Sequence, residues 1–242
     1  MTRAYLDHAS SSPLRPAALE AMLPFLREHH ADPGRLHAEG RVARVAVEHA
    51  REQVGALLGA RPREVVFTGS GTEAVNAAVW GALAKAGGRG HVVTTAVEHS
   101  AVHESIDRAG VETTVVGVDH LGRFDPSEVT DAVRADTVLV SVQLANHEVG
   151  AVQTIPSVDG PLLHVDACAA AGHLPISFAE MGADLCSATS HKLGGPKGAA
   201  ALLVRRGLRV PPMVVGGAQE RARAPGWRTS PRSSGSEQPA SR

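Results

Sequence analysis

Aromatic residues are scarce in this chain: Phe, Trp and Tyr together supply 3% of its 242 residues. A hydrophobic content of 43% must therefore be packed mostly from small aliphatics, as in α/β proteins with parallel sheets. An excess of charge of one sign is missing too. The formal net charge of -1 excludes bulk attraction to nucleic acid or to an anionic membrane. Two cysteines, Cys168 and Cys186, give no disulfide framework and fit a reducing cytoplasm. The opening MTRAYLDHAS lacks the apolar segment of a signal peptide. No apolar run approaches the roughly 18 residues needed to span a bilayer. Histidine is plentiful at 13, but the residues are scattered, with no HExxH and no CxxC, so no metal site is expected.

What is present is a globular chain, long enough for one large domain. Its organising stretch is Ala183 to Arg205, ADLCSATSHKLGGPKGAAALLVR, which reads as strand, glycine turn, strand. Lys192 lies where a buried strand meets the turn. Burial depresses a lysine pKa, and a neutral amine attacks carbonyls, so Lys192 is either a Schiff-base lysine or an ordinary loop lysine. Upstream, Tyr5 to Ser12 reads as a short extended piece, followed by helices over Ala17 to His30 and Leu36 to Leu58, with Gly59 suited to a C-cap. A strand over Glu64 to Thr68 runs into Gly69-Ser-Gly-Thr-Glu73 and a helix from Ala74 to Lys85. Strand, small-residue turn and helix start make either an anion site or a plain connection capped by Thr72. Strands follow at His91–Thr95, Val111–Val116, Thr137–Gln143 and Leu162–Asp166, with helices at about Ala101–Ala109 and from Pro126 to about Val133.

Alternating strands and helices predict a three-layer αβα architecture around a mostly parallel sheet. Ligands on such sheets bind at the carboxyl ends of the strands. Those ends carry the Gly69–Thr72 turn, His99, Asn146 and His147, Asp166 and Lys192. Together they offer a phosphate cradle, an aromatic plate, polar groups, a carboxylate and an amine. Pyridoxal phosphate needs that set: backbone donors for its phosphate, His99 against its ring, Asp166 to hold the ring-nitrogen proton, and Lys192 for its aldehyde. Singly, His99 and Asp166 are also ordinary helix-start and capping residues.

The segments YLDHASSSPLRP, VVFTGSGTEAVNAAVWG, VVTTAVEHSAVHES, LVSVQLANHEVGAVQ, LLHVDACAAAGHLPI, ADLCSATSHKLGGPKGAAALLVRR and GGAQER resemble, in this order, the class V aminotransferase family of fold-type I, and most of all its cysteine desulfurase branch. The resemblance implies pyridoxal phosphate bound through Lys192, ring stacking by His99 and a pyridinium partner at Asp166. It implies phosphate contacts from Gly71, Thr72, Thr189 and His191, and cofactor contacts from Asn146 and His147. It implies removal of sulfur from L-cysteine or a similar amino acid to leave alanine, with the sulfur passed to an acceptor protein for iron–sulfur clusters or thiolated molecules. It also implies a cytoplasmic homodimer.

Four departures stand out. The second of two family asparagines is here His147, which still donates a hydrogen bond. A family glutamine three residues after the aspartate is here Ala169. The segment Thr154 to Pro161, where the family places a helix, is short for a parallel crossover. Finally, the likeness is expected to stop near Arg221. The domains expected are an N-terminal segment over 1–15, a cofactor-binding large domain over 16–221 and a disordered tail over 222–242. Under an assumption of GC-rich codons, the tail read two bases later resembles the family's continuation, which points to a shifted reading frame. On this reading the small domain, its persulfide cysteine and its carboxylate-binding arginine are missing, both cysteines present are structural, and activity is weak. The alternatives are a non-catalytic cofactor-binding remnant, an aminotransferase or a selenocysteine lyase.

Overall fold

The computed structural model describes residues 4–216 and 219–222. Among these, seven strands form one sheet: β1 (Val65–Thr68), β2 (His91–Thr95), β3 (Glu112–Val116), β4 (Thr137–Gln143), β5 (Leu162–Asp166), β6 (Leu185–Thr189) and β7 (Ala200–Val204). Their order is β1-β7-β6-β5-β4-β2-β3. β2, β3, β4, β5 and β6 run parallel, while β7 is antiparallel to both of its neighbours. β7 is reversed because the turn after Thr189 folds it straight back onto β6 (Thr189 opposite Ala200). The carboxyl ends of the other six strands consequently emerge along one edge.

The described residues also form five α-helices: α1 (Pro16–Arg27), α2 (Ala38–Leu57), α3 (Gly71–Lys85), α4 (Ser100–Ala109) and α5 (Pro126–Asp131). On one face, Val66, Leu185 and Leu202 pack against Ala74 and Ala78 of α3, and Val92 and Leu139 against Val75, Val79, Val102 and Ile106. On the other, Val93, Val140, Leu163, Val165 and Leu203 meet Leu58, Phe124, Val129 and Phe178. Alternate residues of each central strand thus serve opposite layers, as period-two geometry requires. The mostly parallel αβα architecture read from the sequence is the one observed. α1 has no buried residue, and with α2 it forms an open apolar trough of about 810 Å³.

Several local expectations shift. α3 begins at Gly71 rather than Ala74, and its cap is Ser70, whose Oγ accepts the Glu73 N–H at 3.0 Å; Thr72 is not the cap. Tyr5–Ser12 is not simply extended: it turns at His8–Ser10, braced by the Tyr5 hydroxyl donating to the carbonyls of Asp7 and Ser11. Between β4 and β5 the connection holds no helix, yet five register pairs still join the strands. Irregular backbone makes this crossover without weakening the sheet. Of the expected disordered tail, residues 223–242 lie outside the described residues.

One polar rung crosses the core. His164 on β5 is fully buried, 2.9 Å from Ser141 Oγ of β4 through Nδ1 and 2.9 Å from Ser187 Oγ of β6 through Nε2. Burial depresses its pKa to about 4, against a smaller opposing pull from Asp166. An unfolded imidazole titrates near 6.5, so the unfolded chain takes up this proton first as pH falls. The stability owed to neutral His164 is whole above about pH 6.5 and is lost as pH drops toward 4. Thermal melts over that range are expected to show the loss, and a His164→Gln chain to show a shallower one.

Candidate active site

The strand ends, the connections that follow them and the N-terminal segment line a cavity of about 550 Å³, within the range of small-molecule sites. Gly71, Thr72, His99, His147, Asp166, Thr189, His191 and Lys192 all line it. Asn146 does not. Its Oδ1 accepts the N–H groups of Glu148 and Val149, and its Nδ2 donates to Val97 O at 3.2 Å, so it shapes the loop that carries His147.

At one end, α3 opens against the cavity. A helix start leaves its first amides without helical partners, and Gly71 and Thr72 supply two of them. Gly71 admits no side chain, because a Cβ there would sit 2.8 Å from Cys168 Sγ and 3.4 Å from Thr189 Cβ. Thr189 Oγ1 and His191 Nδ1 lie 2.9 Å apart beside this end. The donor set suits a phosphate.

Asp166 forms the floor. It ends β5, directly opposite Gln143 of β4 and Ser187 of β6, is 6% exposed, and its Oδ1 accepts the Cys168 N–H at 2.9 Å. Beside it, two buried polar atoms have no partner among the described residues: Gln143 Nε2 and Glu98 Oε2. An orphaned donor in the wall of a polar cavity marks a place where a ligand completes the bonding.

His99 precedes α4 and caps it, its Nδ1 accepting the Ala101 N–H at 3.0 Å. That bond places the proton of the neutral ring on Nε2. Both sequence readings of His99 therefore coexist: it caps a helix and walls the cavity. The His147 ring stands 5.8 Å from it, tilted by 45°. Burial and then the Lys192 ammonium lower the His147 pKa, with Glu148 opposing. Lys192 is half-buried in the β6–β7 turn, whose shape is held by the N-terminal segment: Ser12 N donates to His191 O at 2.7 Å, and Arg15 N to Gly194 O at 2.9 Å. Asp7, Ala9 and Ser10 of that segment also line the cavity.

Both cysteines have their thiols pushed above the usual range, by burial first and by Asp166 second. Cys168 lines the cavity but is held as a thiol, not a thiolate, and no arginine is among the described lining residues. Sequence reasoning missed Ser70, Gln143 and Glu98. The strand-end rule that found Asp166 pointed equally to Gln143; nothing in the sequence marked Glu98 as buried.

A basic anion cradle, an amine and a carboxylate around one polar cavity on an αβα sheet define the pyridoxal phosphate-dependent class, and the residues present fit that group. The comparisons agree. The family profile described as Aminotransferase class-V matches residues 4–235, past the point where the quoted motifs end. Cysteine desulfurase IscS of Dictyoglomus turgidum is 39% identical over 226 residues, covering 89% of this chain and 57% of that protein. Putative cysteine desulfurase IscS 1 of Bacillus subtilis is 41% identical, covering 96% and 64% respectively. A solved structure described as a NifS-like protein superposes with a TM-score of 0.89 at 32% identity, covering 94% of this chain and 66% of that one. One described as SspA in complex with cysteine gives the same TM-score and identity. The chain belongs to the class V aminotransferase family, whose members depend on pyridoxal phosphate. It spans about three fifths of the length of these curated relatives.

Proposed function

We propose that this chain is the cofactor-binding part of a cysteine desulfurase, acting on L-cysteine to give alanine and transferable sulfur. The single observation that carries the proposal is that Lys192 and Asp166, 26 positions apart by their numbering, line one cavity together with the start of α3. The chemistry of the reaction centre comes from pyridoxal phosphate, which when bound supplies an aldehyde and an electron sink. The start of α3, with Thr72, Thr189 and His191, would hold the phosphate. Asp166 would face the ring nitrogen and favour its protonated form. His99, which lines the cavity, would cover one face of the ring. Lys192 would hold the aldehyde, and its amine is the group in the lining that could carry a proton to and from the substrate Cα. Neutral His147 stays available beside Lys192 as a hydrogen-bond partner for the cofactor.

The sulfur-accepting thiol and the group that grips the substrate carboxylate come from outside the described residues. Support for this is chemical: Cys168 is a neutral thiol, and the described lining holds no arginine. A second copy of the chain is proposed to cover the α1/α2 trough, where Leu26 and Val45 are 67% and 69% exposed. The cytoplasm and iron–sulfur or thio-cofactor assembly follow from the desulfurase reading.

Loading the purified chain with pyridoxal phosphate is expected to produce a visible absorbance band that L-cysteine perturbs and L-aspartate does not. Alanine and sulfide are expected to form slowly, if at all, without an added thiol acceptor. No band on loading, or equal response to unrelated amino acids, would defeat the proposal.

A further inference from the structure

Glu98 is a buried carboxyl that the chemistry above does not use. It lies in the turn between β2 and α4, one residue before His99, and is 8% exposed. Its Oε1 accepts the Thr95 hydroxyl at 2.5 Å and the Gln143 N–H at 2.9 Å. Its Oε2 meets no donor among the described residues. No cation pairs with it in any described ion pair. A carboxylate with one oxygen buried and bare is costly, whereas a carboxylic acid places its proton on that oxygen and keeps both bonds of the other.

We propose that Glu98 is a positioning residue, held as a neutral carboxylic acid, that ties the β2–α4 turn to β4 and so fixes His99 across the cavity from Asp166. The tie runs from Thr95 through Glu98 Oε1 to the Gln143 amide, and Asn146 adds a second strut to Val97. His99 follows directly and is locked by its own bond to Ala101. Neutrality matters because Asp166 lies close enough to act on Glu98. As an acid, Glu98 orients the turn and leaves Asp166 as the single negative charge at the floor. The other titratable groups around the cavity are Asp7 from the N-terminal segment, His99 from the start of α4, His147 and Glu148 from the β4–β5 connection, Cys168 after β5, and His191 and Lys192 from the β6–β7 turn. Burial, with Asp166 adding to it against the Thr95 and Gln143 bonds, raises the carboxyl to about 8.

The functional half of this inference rests on the cofactor reading above; the protonation half does not, and the tests separate them. The folded state holds the Glu98 proton more tightly than the unfolded chain, whose carboxyl titrates near 4.5. Its contribution to stability is whole below that pH and is lost as pH rises to about 8. The Tm of wild type relative to Glu98→Gln is therefore expected to fall from pH 5 to about 8 and to level off above it, and a protonated-carboxyl stretch in the infrared difference spectrum at pH 7 is expected to vanish in Glu98→Gln. A flat Tm difference, or no such stretch, overturns the neutral acid whether or not cofactor binds. For positioning, Glu98→Gln is expected to keep the pyridoxal phosphate affinity of wild type, while Glu98→Ala weakens it about tenfold, equivalent to about 1.4 kcal/mol. Equal loss in both variants, or none in Glu98→Ala, overturns the positioning role. If Glu98→Ala does not fold, the Gln variant decides: it must bind as wild type does. If wild type binds no cofactor, the cofactor reading and the positioning role fail together, and the Tm and infrared results stand alone.

Discussion

A Lys192→Ala chain loaded with pyridoxal phosphate is expected to lose the visible band of the bound cofactor. After borohydride reduction and denaturation, wild type should carry the cofactor mass on the peptide holding Lys192 and the variant on none. The expected effect is complete because the lysine is the only one lining the cavity among the described residues. A second lysine, Lys197, lies on the same turn but is exposed and absent from the lining, so it is not placed to substitute. Retained labelling at Lys197 or elsewhere in the variant would remove Lys192 from its assigned role. Residual non-covalent binding is compatible with that role, since the α3 end, Thr189 and His191 do not depend on the amine.

The second large effect is on stability. Arg51 of α2 is fully buried and faces Glu220, itself 5% exposed, through two contacts of 2.8 Å. Its Nη1 also donates to Val65 O at 2.7 Å, and its guanidinium lies 4.8 Å over the Phe67 ring. Glu220 in turn accepts the Phe67 N–H at 3.0 Å, on the outer edge of β1. Glu220 also has a φ of 46°, strained for a non-glycine residue, which the paired carboxylate holds in place. Arg51→Ala strands that carboxylate in the interior and is expected to cost about 3–5 kcal/mol in urea denaturation. Removing both charges together, as Arg51→Met with Glu220→Leu, is expected to cost clearly less than Arg51→Ala alone, because no bare charge is left. A loss below about 1 kcal/mol for Arg51→Ala would mean that water reaches the pair.

The two effects differ in how they could be anticipated. Lys192 was visible as a charge out of place between an apolar strand and a glycine turn. Arg51 was not, since an arginine on a helix of alternating charge reads as solvated; only the return of Glu220 to the edge of β1 buries it. The same contrast runs through the site. Asp166 ends an apolar run, and strand-end carboxylates are conspicuous. Asn146, expected beside His147 as a cofactor contact, uses its Oδ1 within its own loop and its Nδ2 on Val97 of the β2–α4 turn, a pairing that only the fold brings about. Ser70 displaced Thr72 as the cap because a serine one residue before the glycine can reach the Glu73 amide, a choice that backbone dihedrals settle and residue type does not.

By itself, the sequence determined which segments are strands and helices and where the glycine turns fall. Burial of small aliphatics at periods of two and of about 3.6 residues is a local property, written in the order of side chains. The strands His91–Thr95, Thr137–Gln143 and Leu162–Asp166 are observed with the bounds their composition predicts. Tertiary structure alone decided that the N-terminal segment grips the lysine turn, and that Glu98, His164 and Arg51 lose contact with water. Those outcomes depend on which distant surfaces meet, and the charge state of a buried group is set by what surrounds it in space.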